Sequence, residues 1–254
     1  MSASLPPARG ARGGRHGLAG AAGGGALQGE HGRLFRRGVA GRALSYLLLQ
    51  AAVRLLFRLL AQLRVEGLER YPHQGPYLLV INHLHWLDLP AVFTTFQHFV
   101  AGLMKRKWER HLIAGPLMRH VGNAIPIETG RPDPRALARA RRWLEAGGVL
   151  LVAPEGTRSR SGGLAEGLRG AAFLANRAGA PLVPVAMWGQ ERAFQQFVRL
   201  RRPPIHVSVG EPIHWDWSSE RAPADELDAC TALLMRRLAE LLPEAYRGVH
   251  GDGG

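Results

Sequence analysis

Long polar side chains recur at a fixed interval through an apolar stretch near the start of the chain. Leucine and alanine dominate residues 43–63, and the long polar side chains among them lie four residues apart, at Gln50, Arg54, Arg58 and Gln62. In a helix this interval gives one narrow polar stripe beside a broad apolar surface. The pattern therefore predicts an amphipathic helix within residues 33–64.

Three placements of this helix fit its pattern. It is long enough to cross a bilayer, but each arginine near its middle would cost about 2.5–3.5 kcal/mol on insertion. It could instead pack its apolar surface on the chain's own domain. A helix that lies in the membrane interface, with its arginines toward the lipid phosphates, fits best. We expect this third placement.

Short apolar runs alternate with helix-like stretches over the rest of the chain. The predicted strands are 77–81, 99–104, 124–127, 149–153, 182–187 and 205–209. The predicted helices are 90–98, 109–121, 134–146, 168–178 and 224–242. Strands that alternate with helices indicate an α/β domain, with a largely parallel or mixed central sheet flanked by helices.

Composition divides the chain into four segments. Residues 1–32 are mainly glycine, alanine and arginine, and such a segment buries too little apolar surface to offset its ordering entropy. We therefore predict a disordered leader there, followed by the amphipathic helix of residues 33–64. The predicted strands and helices place a folded domain after it, and residues 248–254 are a predicted flexible tail. The single cysteine, Cys230, excludes a disulfide framework and falls within the last predicted helix, where packing is its expected role.

Positive charge is concentrated at the front of the chain. Residues 1–64 hold ten arginines and one acid, Glu30, which gives +9 of the net charge of +13. A basic front end favours an anionic partner, either a membrane surface or nucleic acid. No zinc-finger spacing or basic-aromatic RNA motif accompanies the arginines. We therefore expect an anionic membrane surface as the partner and no nucleic acid, an alternative that rests on this basic segment alone.

A histidine and an aspartate follow the first strand of the predicted domain. The segment NHLHWLD, Asn82 to Asp88, comes directly after the apolar run 77–81. Active sites of α/β sheets lie at the carboxyl ends of strands. A neutral imidazole at His83 can accept the proton of an attacking alcohol. Asp88, folded back onto the other ring nitrogen, would fix the tautomer and stabilise the imidazolium, although an aspartate here is also a good helix N-cap.

A second turn, EGTRS at residues 155–159, offers an anion site after the apolar run 149–153. Arg158 carries a planar guanidinium that matches phosphate oxygens, and Gly156 permits a tight turn whose backbone amides can add hydrogen bonds. Turns of this composition are also common as purely structural links, so the weight of this one depends on His83. A base together with an anion clamp is what acyl transfer to a phosphate-bearing alcohol needs.

These segments resemble the glycerophospholipid acyltransferase family, whose members acylate lysophosphatidic acid and related lysolipids. The Asn-His-x4-Asp motif of the family matches residues 82–88, and its Glu-Gly-Thr-Arg-Ser motif matches residues 155–159. Its apolar motif around a proline matches APLVPVAMW, with Pro184. The similarity runs from about Val65 to Arg247, so the resemblance makes residues 65–247 an acyltransferase domain.

The resemblance implies that His83 is the catalytic base and Asp88 its orienting partner. It further implies that the substrate-binding residues are Asn82, Arg131, Glu155, Gly156, Thr157, Arg158 and Pro184. Of these, Glu155, Gly156, Thr157 and Arg158 would line the phosphate and glycerol of the acceptor. The reaction would move a fatty acyl chain from an acyl-CoA or acyl-ACP thioester to the free hydroxyl of a lysophospholipid. The expected product is phosphatidic acid, made from lysophosphatidic acid in phospholipid biosynthesis at the cytoplasmic face of the plasma membrane. No cofactor beyond the thioester and no metal is implied.

Two positions depart from the family's pattern. Thr129 occupies the usual arginine position of the second motif, and Arg131 lies two residues further on. Either Arg131 reaches back, or the acceptor head group differs from a phosphate monoester. His85 stands where the family often has serine, and either tunes the site or packs. A different lysolipid or glycolipid acceptor, and a non-catalytic lipid-binding protein of the same fold, therefore remain as alternatives.

A metal site is a further interpretation of the first motif. His83, His85 and Asp88 approach the His-x-His and aspartate pattern of metallohydrolases. The aspartate lies one residue too far along the chain for that pattern, and no further pair of ligands follows in the sequence. We therefore expect no metal.

Overall fold

A computed structural model describes residues 46–96, 100–112, 115, 123–128, 133–159 and 161–251. Its strands are β1 (Gln62–Glu66), β2 (Tyr77–Ile81), β3 (Val100–Lys105), β4 (Ile125–Ile127), β5 (Val149–Val152), β6 (Leu182–Trp188) and β7 (Pro204–Val209). Its α-helices are α1 (46–60), α2 (Asp88–Thr95), α3 (Pro134–Glu145), α4 (Gly170–Ala178), α5 (Ala193–Val198) and α6 (Ala224–Leu241). Single 3₁₀ turns span Leu68–Arg70, Arg106–Arg110, Gln190–Arg192, Glu244–Tyr246 and Gly248–His250.

The strands of this part of the chain form one sheet in the order β1-β7-β6-β2-β5-β3-β4. Neighbouring strands are parallel except β6 and β7, which are antiparallel. Strands β2, β5 and β6 therefore end at one edge of the sheet, which we call the carboxyl edge. Because β7 runs the other way, it begins at this edge, and so does β1, its parallel neighbour.

Alternation along β2 shows how the layers are built. All five of its residues are buried. Leu78 and Val80 join an apolar cluster with side chains of α3, α4 and α6, whereas Tyr77, Leu79 and Ile81 join a second cluster with side chains of α1 and α2. A strand covered on both faces is apolar at every position, which is why the run YLLVI could be recognised as central.

The predicted α/β fold with a mixed sheet flanked by helices is confirmed. The bounds of the six predicted strands agree with the observed ones to within one residue. The prediction missed β1 and α5. Strand β1 alternates between exposed and half-buried side chains at the edge of the sheet, so it lacks the apolar run by which the other strands were found. The domain boundary predicted between Arg64 and Val65 is wrong because it falls inside β1.

The first two polar side chains of the α1 stripe, Gln50 and Arg54, face the domain, whereas Arg58 is exposed. The Gln50 side-chain amide donates to the carbonyl oxygens of Phe93 (2.9 Å) and Phe96 (2.7 Å), and Arg54 donates to that of Thr94 (3.1 Å). The last carbonyl groups of a helix have no partner within it, so these side chains satisfy the end of α2. The helix is confirmed, but the expected direction of its stripe toward lipid phosphates is wrong for Arg54.

The opposite side of α1 is apolar and exposed. Its outward side chains include six leucines that are 46–63% exposed, namely Leu47, Leu48, Leu55, Leu56, Leu59 and Leu60. Among the helices that the structure describes, none is both long enough and apolar enough to cross a bilayer. The predicted leader of residues 1–32 and the start of the segment 33–64 lie outside the described residues.

The chain after residue 247 is docked on the domain up to residue 251. The backbone N–H of Val249 donates to the Leu164 carbonyl at 3.1 Å, and Gly248–His250 form a 3₁₀ turn. The predicted flexible tail of residues 248–254 is therefore wrong for this part, and residues 252–254 lie outside the described residues. Cys230 lies within α6 and is fully buried in the core, so its predicted packing role is confirmed.

Candidate active site

The loop that carries the predicted base is attached to the end of β6. The Asn82 side chain is buried and pairs with the backbone of Met187 in both directions, donating at 2.8 Å and accepting at 2.7 Å. This pair continues the contact between β2 and β6 beyond the last residue of β2. Both polar groups of Asn82 are therefore engaged inside the protein. This pairing gives Asn82 a structural role, and its predicted contact with substrate stays a prediction.

Asp88 is the centre of the loop that follows. Its Oδ2 lies 2.6 Å from Nδ1 of His83 and accepts the backbone N–H groups of Leu84 and His85, each at 2.9 Å. The carboxylate has no solvent exposure, whereas the His83 side chain is 27% exposed. A carboxylate that already accepts backbone donors holds the proton on Nδ1, so Nε2 of His83 is left as an acceptor.

This geometry decides between the two interpretations of Asp88. The residue is the first of α2, and neither it nor the preceding Leu87 makes a side-chain cap to the helix. Its oxygens instead accept from the loop and from the His83 ring. The pair predicted from the sequence is thus formed, and simple helix capping does not account for Asp88.

Gln190 supplies a contact that the sequence did not indicate. Its side-chain amide donates to Oδ1 of Asp88 at 2.9 Å, and Gln190 is fully buried. Its Oε1 has no hydrogen-bond partner within the part of the chain that the structure describes. With this bond, both oxygens of Asp88 are held. Gln190 follows the end of β6, and only the pairing of β6 with β2 brings it to the site.

The EGTRS turn closes around the backbone of His83. Oε1 of Glu155 accepts the His83 N–H and Oε2 accepts the Ala165 N–H, both at 3.0 Å, while the Ser159 N–H donates to the His83 carbonyl at 2.8 Å. Burial raises the pKa of the Glu155 carboxyl, and these two hydrogen bonds oppose the rise. Glu155 therefore holds the backbone of His83, the predicted base, and its predicted contact with the acceptor stays a prediction.

The tip of the same turn is open. Gly156 has φ 68°, a left-handed conformation that favours glycine. Gly156, Thr157 and Arg158 are all exposed. Among the described residues, no acidic side chain pairs with Arg158. Burial lowers the pKa of His85; the charge of Arg158 lowers it further, and the charges of Asp88 and Glu191 oppose the shift.

Pro184, a predicted binding residue, lies within the sheet and away from the two turns. Pro184 is buried within β6, opposite Val80 of β2, and its carbonyl accepts the Gly210 N–H at 2.9 Å. It packs the sheet and does not line the open carboxyl edge, which is where binding was expected. Arg131 and Thr129 lie outside the described residues, so the role of Arg131 stays a prediction.

The arrangement suits proton transfer from a hydroxyl next to an anion. The His83 side chain is part-exposed, its ring is fixed by a buried carboxylate, and an exposed arginine lies on the neighbouring turn. Within the described ranges, no three His, Cys, Asp or Glu side chains are placed to hold a metal ion together. The chemistry that these side chains can perform is general base catalysis on an alcohol.

Comparison with known proteins gives the family. The family model "Acyltransferase" matches residues 62–188. The 1-acyl-sn-glycerol-3-phosphate acyltransferase of Bacillus subtilis is 24% identical over 75% of this chain and 93% of its own length. The chloroplastic 1-acyl-sn-glycerol-3-phosphate acyltransferase LPAT1 of Arabidopsis thaliana is 29% identical over 60% of this chain. In that case the match covers 44% of the relative.

A solved structure shows the same fold. The crystal structure of PlsC, the 1-acyl-sn-glycerophosphate (LPA) acyltransferase of Thermotoga maritima, superposes with a TM-score of 0.63. It is 23% identical in sequence, and the match covers 85% of this chain and 88% of that one. The family model spans the sheet from β1 to β6, including both motifs around His83. The chain therefore belongs to the acyltransferase family and is an acyltransferase.

Proposed function

We propose that this acyltransferase moves a fatty acyl chain from an acyl-CoA or acyl-ACP thioester to the free hydroxyl of lysophosphatidic acid, which yields phosphatidic acid for phospholipid synthesis. The observation that carries the proposal is the 2.6 Å contact between His83 and the buried Asp88, braced by the EGTRS turn. The relatives named as 1-acyl-sn-glycerol-3-phosphate acyltransferases support this acceptor. No cofactor beyond the thioester donor enters the proposal.

The proton follows a short path in the proposed reaction. The acceptor hydroxyl donates its proton to Nε2 of His83 as its oxygen attacks the thioester carbonyl carbon. A carbon–oxygen bond forms, the carbon–sulfur bond breaks, and the thiolate takes the proton from the imidazolium. Asp88 stabilises the imidazolium in between and holds the ring in one tautomer, as a carboxylate partner of histidine does in other acyl-transfer sites.

The phosphate of the acceptor is assigned to the open tip of the EGTRS turn. Arg158 is exposed, and the backbone amides beside it lie on a glycine turn of positive φ. A guanidinium and neighbouring amides match phosphate oxygens. Arg131 is the second cation that we assign to the phosphate. Thr129, in the usual arginine position, favours one alternative within this proposal, an acceptor whose head group is not a phosphate monoester.

Membrane association belongs to the same proposal. The exposed leucine side of α1 is the kind of apolar surface that enters the interfacial zone of a bilayer. Gln50 of α1 binds the end of α2, and this contact within the domain turns the leucine side of α1 outward. We place the enzyme on the anionic cytoplasmic face of the plasma membrane, where a lysolipid acceptor is at hand.

The test is release of free thiol from palmitoyl-CoA by purified protein in detergent. The assay uses lysophosphatidic acid, a panel of other lysolipids, and an acyl carrier protein donor as a separate arm. Release that depends on lysophosphatidic acid and disappears in His83→Ala is expected. Release only with another acceptor would overturn the assigned substrate. No release with either donor would leave a lipid-binding protein of the same fold.

A further inference from the structure

Helix α5 follows directly on the 3₁₀ turn that contains Gln190 and has two unlike faces. Ala193 and Phe197, four residues apart, pack inward against the apolar cluster beneath α1 and α2. Phe194 and Val198, also four residues apart, are 75% and 70% exposed. Side chains at this spacing share one face of a helix. The outward side of α5 therefore presents two large apolar side chains, beside the exposed Gln195.

The next turn adds a third apolar side chain. Leu200 is 97% exposed and has φ 54°, a left-handed conformation that is unfavourable for leucine. The turn is held by bonds from the Leu200 N–H to the Phe197 carbonyl and from the Arg201 N–H to the Gln196 carbonyl, each 2.9 Å long. These bonds direct a large apolar side chain into solvent.

Positive charge surrounds these three side chains. Arg199, Arg201 and Arg202 are exposed, and within the described part of the chain none of them pairs with an acidic side chain. Apolar side chains flanked by unpaired arginines are suited to a surface that is apolar inside and anionic outside. A lipid bilayer with anionic head groups has these two layers.

The segment also joins the exposed side of α1. The Arg202 guanidinium donates to the carbonyl oxygens of Arg58 and Ala61 at the end of α1, and the Gln62 N–H donates to the Pro203 carbonyl at 2.9 Å. The exposed leucines of the last turns of α1 lie next to this contact. Both surfaces lie at the carboxyl edge, because β6 ends there and β7 begins there.

We propose that residues 193–202 are a second bilayer contact, in which Phe194, Val198 and Leu200 enter the apolar zone and Arg199 and Arg201 bind lipid phosphates. The proposal rests on the membrane association in the proposed function and assigns it a second element. Two contacts at one edge of the sheet fix the enzyme's orientation. The open side of His83 then faces the leaflet from which a lysolipid would come.

A fluorescent probe at residue 200 tests insertion directly. An environment-sensitive thiol probe is attached to Leu200→Cys, and to Leu68→Cys as the matched control. Leu68 is exposed but follows β1 at the opposite edge of the sheet. The native Cys230 is fully buried, and burial raises the pKa of its thiol to about 12, so labelling is confined to the new site. Phosphatidylcholine vesicles containing phosphatidylglycerol should shift the emission to the blue, with quenching by brominated acyl chains, for Leu200→Cys alone.

Vesicle sedimentation separates this proposal from the one that it rests on. The variant Phe194→Ser/Val198→Ser/Leu200→Ser should bind these vesicles about tenfold more weakly or worse, since it removes three apolar side chains from the contact. Its thiol release in detergent should stay at the wild-type level. Arg199→Gln/Arg201→Gln should reduce the preference for anionic over pure phosphatidylcholine vesicles, whereas Arg236→Gln on the exposed side of α6 should not.

The outcomes are distinct. If wild-type protein does not bind vesicles, membrane association itself fails. If wild type binds, Leu55→Ser/Leu59→Ser does not, and the triple variant binds as wild type does, α1 is the membrane contact and the proposed second one is overturned. A triple variant that keeps vesicle binding but loses self-association in solution would assign the patch to a second copy of this chain, which also overturns the proposal.

Discussion

The two turns of the candidate site differ in how completely their polar groups are used. In the His83–Asp88 loop, both oxygens of Asp88 and both backbone groups of His83 have partners inside the protein. At the tip of the EGTRS turn, Gly156, Thr157 and Arg158 are exposed. A base must be oriented before the substrate arrives. An anion clamp keeps its donors free for the ligand. This difference is the one that the proposed roles require, with His83 as an oriented base and Arg158 as an open anion site.

The largest effect is expected from removing the base. His83→Ala should lower kcat about 10²- to 10⁴-fold, the range typical of a positioned general base, with little change in KM for the acceptor. The ring is part-exposed, so the fold should survive. Steady-state thiol release measures the effect. Circular dichroism serves as the folding control, and a kcat within about threefold of wild type would remove His83 from the mechanism.

Substitution of Arg158, the proposed anion clamp, should change KM and leave kcat nearly unchanged. Arg158→Ala should raise KM for lysophosphatidic acid about 10- to 100-fold, which corresponds to the loss of a charge-assisted hydrogen bond of roughly 1.5–3 kcal/mol. Its kcat at saturation should change little, and Arg158→Lys should recover part of the affinity. Arg236→Ala, on the exposed side of α6, is the matched control. A fall in kcat with unchanged KM would place Arg158 with the base and end the contrast between the two turns.

A substitution of Gln190 tests the contribution of the buried Asp88. Gln190→Leu removes the donor to Oδ1 of Asp88 and leaves that oxygen buried without a partner. We expect kcat to fall about tenfold, since a hydrogen bond to a charged group contributes about 1.5–3 kcal/mol and part of this is lost from the positioning of His83. KM should be unchanged. If KM rises and kcat is unaffected, Gln190 contacts substrate instead of Asp88.

How well the sequence predicted each feature depends on how far apart the interacting residues lie along the chain. Strand β2 and the pair of His83 with Asp88 follow from residues close together in the chain, and they were found. Gln190 and Asp88 are 102 residues apart, and no local pattern links them. Periodicity defined the polar stripe of α1 but not its direction, because the unsatisfied carbonyls at the end of α2 decide that. Strand β1 is recognisable only beside β7.

The roles of the motif residues also depend on contacts that are distant in the sequence. The sequence predicted substrate contact for Asn82, Glu155 and Pro184 as a group because the motifs contain them. In the structure, Asn82 binds the backbone of Met187 and Glu155 accepts the His83 N–H. The Pro184 carbonyl accepts the Gly210 N–H. A motif lists which residues a site needs. Burial and hydrogen bonding separate those that build the site from those that stay open to a ligand.

The smallest expected effect concerns Glu155, which accepts the backbone N–H of His83. Burial raises the pKa of Glu155 above its ordinary value, so the folded protein binds this proton more tightly than the unfolded chain does. Its contribution to stability is then fully present below the unfolded pKa, near about 4.3, and is lost as the pH rises through the folded pKa. The melting temperature of wild type minus that of Glu155→Gln should therefore fall as the pH rises from about 4 to 7, by about 2–4 °C for each kcal/mol in a domain of this size.

Glu226 provides a control of opposite sign. Hydrogen bonds from Ser218, the side-chain hydroxyl first and then the backbone N–H, lower the pKa of Glu226. Its stabilising contribution is present above the unfolded pKa and is lost as the pH falls, so the difference between wild type and Glu226→Gln should grow over the same rise in pH. Melting curves of the three proteins in one buffer series decide the matter. Two differences that move in the same direction would mean that burial does not raise the pKa of Glu155, and the buried position of Glu155 beneath the His83 loop would lose its support.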